Sequence, residues 1–137
     1  MPAILGILET ALVTRDLARS AAFYQELFGF TVMAADDRFR ALAVAPAQVL
    51  LLFLEGGSTR PMPIPGGVIP PHDGRGQMHL AFAIGREELE PWRARLRASS
   101  VAIESEVRWP TGGVSLYFRD PDEHLIELAT PGIWPVY

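Results

Sequence analysis

Ser115-Leu116-Tyr117-Phe118-Arg119-Asp120-Pro121-Asp122-Glu123-His124-Leu125-Ile126-Glu127-Leu128 reads as two strands joined by a turn. Val114 to Phe118 forms the first strand and His124 to Ala129 the second. Pro121 takes the second turn position, and Asp120 and Asp122 accept local backbone hydrogen bonds beside it. His124 belongs to the turn before the last strand and reads as structural. One residue is out of place: Glu127 stands between Ile126 and Leu128, where a carboxylate needs an edge, a partner or a cation.

Working outward, Met78 to Ile84 is a strand and Glu87 to Ala98 a helix with Leu89, Trp92 and Leu96 on one side. Pro91 is tolerated only in a first turn, which sets the helix start near Glu88. Val101 to Ile103 precedes the closing pair of strands. The first half has the same order. Ile4 to Val13 reads as a strand, and Asp16 as the N-cap of a helix whose core stripe is Leu17, Ala21, Tyr24, Leu27 and Phe28. Gly29 then supplies the left-handed C-cap, and Phe30 to Met33, Phe39 to Val44 and Val49 to Leu54 follow as strands. Two copies of strand-helix-strand-strand-strand organise the chain.

Between the copies, residues 56–76 hold six glycines and five prolines, which predicts a long irregular connection. Met62, Ile64, Val68 and Ile69 give it enough apolar surface to pack, as a lid would. A chain of 137 residues, 49% apolar, is long enough for one core and too short for two ordinary domains. The net charge of −4, without any basic run, argues against nucleic acid as a partner. The absence of cysteine excludes disulfides, thiolate metal sites and a cysteine nucleophile, and fits a cytoplasmic protein. Glu9 interrupts the only apolar run near the N-terminus, so neither a signal peptide nor a membrane span is expected.

Three potential ligands stand inside strands. Glu9 shares its face with Ala11 and Val13, and His79 shares its face with Ala81 and Ala83. Small neighbours on those faces suit an open cleft. Glu9 and His79 open the first strands of their halves and are equivalent in the repeat. Aligning Pro46 with Pro121 makes Leu52 the counterpart of Glu127, with Glu55 nearby on the opposite parity.

The stretches Glu9 to Tyr24, His79-Leu80-Ala81-Phe82 and Ser115 to Leu128 together resemble the vicinal oxygen chelate superfamily, which includes glyoxalase I and the fosfomycin-resistance, bleomycin-resistance and extradiol dioxygenase proteins. The resemblance implies an α+β fold in which two βαβββ modules form a cupped mixed sheet around a cleft, with helices on the outer face. It implies one domain over residues 1–137, made of module one (about 4–55), a lid or linker (56–76), module two (77–130) and a tail (131–137). It further implies that Glu9, His79 and Glu127 hold one divalent metal ion in a cleft shared between the chains of a homodimer. Glu9 stands where relatives usually have histidine or glutamine. The set therefore departs from the two-histidine dioxygenase pattern, and Leu52 removes the fourth ligand of glyoxalase I. The three-ligand fosfomycin-resistance pattern agrees in number.

Two carboxylates and an imidazole favour Mn, Mg, Ni or Zn and leave positions for substrate oxygens. Such a site stabilises an oxyanion, and Glu127 or Glu9 is placed to act as a base. The expected activity is that of a metal-dependent lyase, isomerase or thiol transferase acting on a small oxygenated substrate. His72, Trp109, Tyr117 and Arg119 are candidates for lining its pocket, and the tail could cover a neighbouring chain. The rival expectation is a metal-free binding protein of the bleomycin-resistance kind that sequesters a small molecule.

Overall fold

A computed structural model describes all 137 residues. The chain divides into two compact units, Met1–Arg75 and Gly76–Tyr137. Each contains one strand-helix-strand-strand-strand module, which makes the architecture α+β.

In the first unit the module comprises β1 (Glu9–Thr14), α1 (Leu17–Phe28), β2 (Thr31–Ala35), β3 (Phe39–Ala45) and β4 (Gln48–Leu54). The sheet order is β1-β4-β3-β2, with β1 parallel to β4 and the other pairs antiparallel. Parallel neighbours need a long crossover, which α1 and the β2–β3 ribbon provide. The Asp16 side chain accepts a hydrogen bond from the Arg19 amide at 3.0 Å, and Gly29 ends the helix at φ 75° with its amide on the Gln25 carbonyl. Leu17, Ala21, Tyr24 and Leu27 are buried on the helix face that packs against β2, β3 and β4, and Leu12, Leu42, Leu50 and Leu52 complete the core. Alternation then puts Glu9, Ala11, Leu51 and Phe53 on the other face of the sheet.

The second unit has β7 (His79–Ala83), a 3₁₀ turn (Arg86–Glu88), α2 (Leu89–Ala98), β8 (Ser105–Arg108), β9 (Val114–Arg119) and β10 (Leu125–Ala129). Its order, β7-β10-β9-β8, repeats the first sheet, with β7 parallel to β10. Pro91 falls in the first turn of α2, as its missing N–H requires. Leu96, Leu116, Phe118, Ile126 and Leu128 form the core.

Three details differ from the sequence expectations. Residues 4–8 are not strand, because β4 offers a partner only from Val49, opposite Glu9; Ile4, Leu5, Ile7 and Leu8 stay exposed. The strand expected at 101–103 begins at Ser105. The Val101 amide still bonds the Leu96 carbonyl of the helix end, and the chain meets β9 only at Glu104.

The connection 56–76 is not irregular throughout. It folds into a hairpin of β5 (Met62–Ile64) and β6 (Gly67–Ile69). A two-stranded ribbon has two free edges, so Pro63 can sit in it without breaking a ladder. The His72 amide bonds the Ser58 carbonyl at 2.9 Å and closes the base of this loop. The tail folds back on its own module, where the Tyr137 hydroxyl donates to the Ile84 carbonyl at 2.9 Å. No helix is long and apolar enough to cross a membrane.

Candidate metal centre

β10 runs through the middle of its sheet, and Glu127 is only 6% exposed there. The parallel register sets Leu125 beside His79 and Glu127 beside Ala81, so the histidine and the glutamate emerge on one face two residues apart. His79 Nε2 lies 3.2 Å from Glu127 Oε2. On the other side of the ring, Nδ1 lies 2.9 Å from the Leu125 carbonyl oxygen. A carbonyl only accepts, so Nδ1 carries the hydrogen and Nε2 is the ring atom turned to the carboxylate. In the neutral ring this sets two electron-pair donors face to face, an arrangement that a cation between them relieves. The imidazole is half exposed, so the pair is open on one side.

A relay of hydrogen bonds holds the carboxylate. The Trp109 indole N–H, which can only donate, reaches Ser115 Oγ at 2.8 Å. Ser115 in turn donates to Glu127 Oε1. This leaves Oε2 as the oxygen facing His79. Tyr117 stands directly opposite Glu127 in the β9–β10 register. Burial pushes its phenol above the ordinary tyrosine range; the neighbouring Glu127 adds to that shift and Ser115 opposes it. Arg119 shares the face of Tyr117, but its guanidinium is bound by both oxygens of Glu104, at 2.7 and 3.1 Å. Trp109 thus acts through Ser115, Tyr117 flanks the pair, and Arg119 is engaged elsewhere. Ser115 was not among the sequence candidates. Its position two residues before Tyr117 on the same face was the available signal.

The structural register also corrects one equivalence. Ala11 pairs with Leu51 as Ala81 pairs with Glu127, so the counterpart of Glu127 is Leu51 and not Leu52. Leu52 is fully buried on the helix side of its sheet. The carboxylate has no equivalent in module one under either alignment.

Glu9 is exposed at the start of β1 and lines a cavity within the first unit, together with Ala11, Leu51, Phe53 and residues of the β5–β6 hairpin. His72 lines the same cavity, its ring 4.5 Å from that of Phe53 in an edge-on contact. Asp36 at the rim binds Arg38. Burial would raise its carboxyl, but hydrogen bonds from the Arg38 and Phe39 amides and the Arg38 guanidinium outweigh that and hold it below the usual range. No group of three histidine, aspartate or glutamate side chains able to hold a metal ion forms within one chain. His79 and Glu127 are side chains of the kinds that bind divalent cations, and one chain brings no third such group to them.

Residues 6–128 match the family model of the Glyoxalase/Bleomycin resistance protein/Dioxygenase superfamily. The chain is 31% identical over 117 residues to the glutathione transferase FosA of Serratia marcescens, covering 85% of this chain and 74% of that protein. Its fold is similar to the crystal structure of lactoylglutathione lyase from Agrobacterium tumefaciens, with TM-score 0.88, 31% identity and coverage of 98% and 99% of the two chains. It is also similar to a mutant of the fosfomycin resistance protein FosX from Listeria monocytogenes, complexed with Mn(II) and dihydroxypropylphosphonic acid, at TM-score 0.67 and 25% identity, covering 92% and 90%.

Proposed function

This chain belongs to the glyoxalase/bleomycin resistance protein/dioxygenase superfamily, and from that membership we propose that it is a metal-dependent enzyme acting on a small oxygenated molecule. The observation that carries the reading is the His79–Glu127 pair, in which an imidazole nitrogen and a carboxylate oxygen stand 3.2 Å apart, each with its other polar atom already engaged. Glu9 is the third ligand, contributed by a second copy of the chain in a homodimer, and the two units are the paired modules of one domain. The ion is Mn, Mg, Ni or Zn; the Mn(II) complex of the FosX relative supports this class. When bound, a divalent ion polarises a substrate oxygen and stabilises the negative charge that develops on it.

The chain's own residues have distinct tasks. The Leu125 carbonyl holds the His79 ring with Nε2 outward. Ser115 and Trp109 hold Glu127 so that one oxygen faces the site. Tyr117, kept protonated by burial, remains a hydrogen-bond donor beside the reacting centre. The names of two relatives, a glutathione transferase and a lactoylglutathione lyase, make thiol transfer and a lyase reaction the two activities to assay.

The test is elemental analysis of protein purified without chelator, followed by assays of both reactions. Stoichiometric divalent metal is expected, lost in Glu127→Ala and His79→Ala, together with one activity that depends on it. A metal-free protein whose melting temperature does not respond to added Mn(II) would overturn the reading and leave a metal-free binding protein in its place.

A further inference from the structure

His79 stands at the least supported point of its sheet. β7 has a neighbour, β10, on one side only, residues 70–78 before it form no helix or strand, and the imidazole is half exposed. Strand ends of this kind fray, and a frayed end carries its side chain with it. The β7–β10 register begins at His79 opposite Leu125, so the Met78 N–H lies before the ladder and needs another acceptor. A side chain supplies it. The Met78 amide donates to His124 Nδ1 at 2.9 Å, and the Met78 carbonyl accepts from the Leu125 amide at 2.8 Å. Both backbone polar groups of the residue before His79 are thus clamped by residues 124 and 125. His124 is itself firmly held. It is buried, its amide donates to Asp120 Oδ1 at 2.9 Å, and its carbonyl accepts from the Asp120 amide at 3.2 Å. Asp120, also buried, accepts from the Asp122 amide as well, which closes the turn with Glu123 at φ 66°, in the left-handed region. An amide only donates, so Nδ1 is the accepting atom of the His124 ring and the hydrogen is on Nε2.

We propose that His124 is a positioning residue for His79. By fixing Met78 it sets the backbone at His79 so that Nδ1–H meets the Leu125 carbonyl and Nε2 turns to Glu127. A histidine that only fills space needs only its volume. This role needs an acceptor at the δ position of the side chain. As a statement about a metal ligand it rests on the proposed metal centre; as a statement about the His79 ring it stands without a metal.

Asparagine and glutamine separate the two roles, because asparagine places its amide oxygen where Nδ1 stands and glutamine places it one bond farther out. Each variant of the full chain is titrated with Mn(II), and its histidine ring nitrogens are observed by NMR without metal. In the wild type the His79 signal, identified by its loss in His79→Gln, is expected to show the hydrogen on Nδ1. His124→Asn keeps that signal and the wild-type Mn(II) affinity. His124→Gln moves the hydrogen toward Nε2 and weakens Mn(II) binding about tenfold, the scale for a group that orients a metal ligand. Leu96→Val, which trims a buried side chain on α2, lowers the melting temperature and leaves both readings as they were. Identical spectra and affinities for His124→Asn and His124→Gln, or an equal effect of Leu96→Val, would overturn the proposal. A wild type that takes up no Mn(II) would remove the metal-centre reading, and the ring spectra alone would then decide this one.

Discussion

A carboxylate in the middle of a buried strand needs hydrogen-bond donors in place of water, and at Glu127 they form an ordered series. Trp109 donates to Ser115 and Ser115 to Glu127. Ser115→Ala breaks the series at its centre, leaving the indole N–H without its acceptor and Glu127 Oε1 without its donor. The expected cost is about 1–3 kcal/mol in denaturant unfolding, with metal affinity weakened about 10–100-fold in a Mn(II) titration. Ser115→Thr, which keeps the hydroxyl, should restore most of the affinity.

Tyr117 gives a prediction in pH. Burial, reinforced by Glu127, raises its phenol in the folded state. The neutral form is therefore favoured by folding. That stabilisation is fully present below the ordinary tyrosine value of about 10 and is lost as pH rises through the higher folded value. Wild-type protein should lose stability more steeply than Tyr117→Phe above about pH 10, read from urea unfolding midpoints across that range. Equal slopes would mean that burial does not raise the phenol in the folded protein. At this scale the sequence exposed Glu127 as a misfit among apolar neighbours, whereas Ser115 looked like any strand serine until the register set it on the same face.

The elements obey local chemistry wherever the controlling contacts are local. Both ends of α1 were legible because Asp16 and Gly29 act through hydrogen bonds within a turn of themselves. Asp16→Ala should cost about 1 kcal/mol of stability, measured as a shift of the urea midpoint without a change of slope; no shift would mean that packing alone sets the helix start. The start of β1 was not legible, since apolar residues 4–8 have the composition of a strand and lack only a partner. The β5–β6 hairpin escaped for the opposite reason. Its glycines and prolines erase any periodic signal, and it is held by contacts distant in sequence, Arg38 to Met62 and His72 to Ser58.

At the scale of the whole molecule the proposed centre requires two chains. In that proposal module two supplies His79 and Glu127, and Glu9 comes from module one of another copy. Chain mixing tests this. Glu9→Gln and Glu127→Gln are each expected to lose metal and activity as separate homodimers. Unfolding and refolding them together creates hybrid dimers in which one site carries both substitutions and the other carries none, so part of the activity returns. Mixtures no more active than their components would show that ligands are not exchanged between chains. Saturating Mn(II) should raise the melting temperature of the wild type and leave Glu127→Gln unmoved, since a ligand stabilises only the state that binds it.

The repeat of βαβββ, the helix caps, the Asp120–Pro121–Asp122 turn and the three polar misfits Glu9, His79 and Glu127 all follow from the sequence alone, because each is written in neighbouring residues or in the alternation of a strand. The pairing of His79 with Glu127, the Ser115 relay, the equivalence of Leu51 with Glu127 and the cavity covered by the β5–β6 hairpin were decided only by the tertiary structure. Register and long-range packing set distances between residues that no local pattern relates. A strand shows which side of it a residue occupies; only its neighbours in the sheet determine what that residue meets.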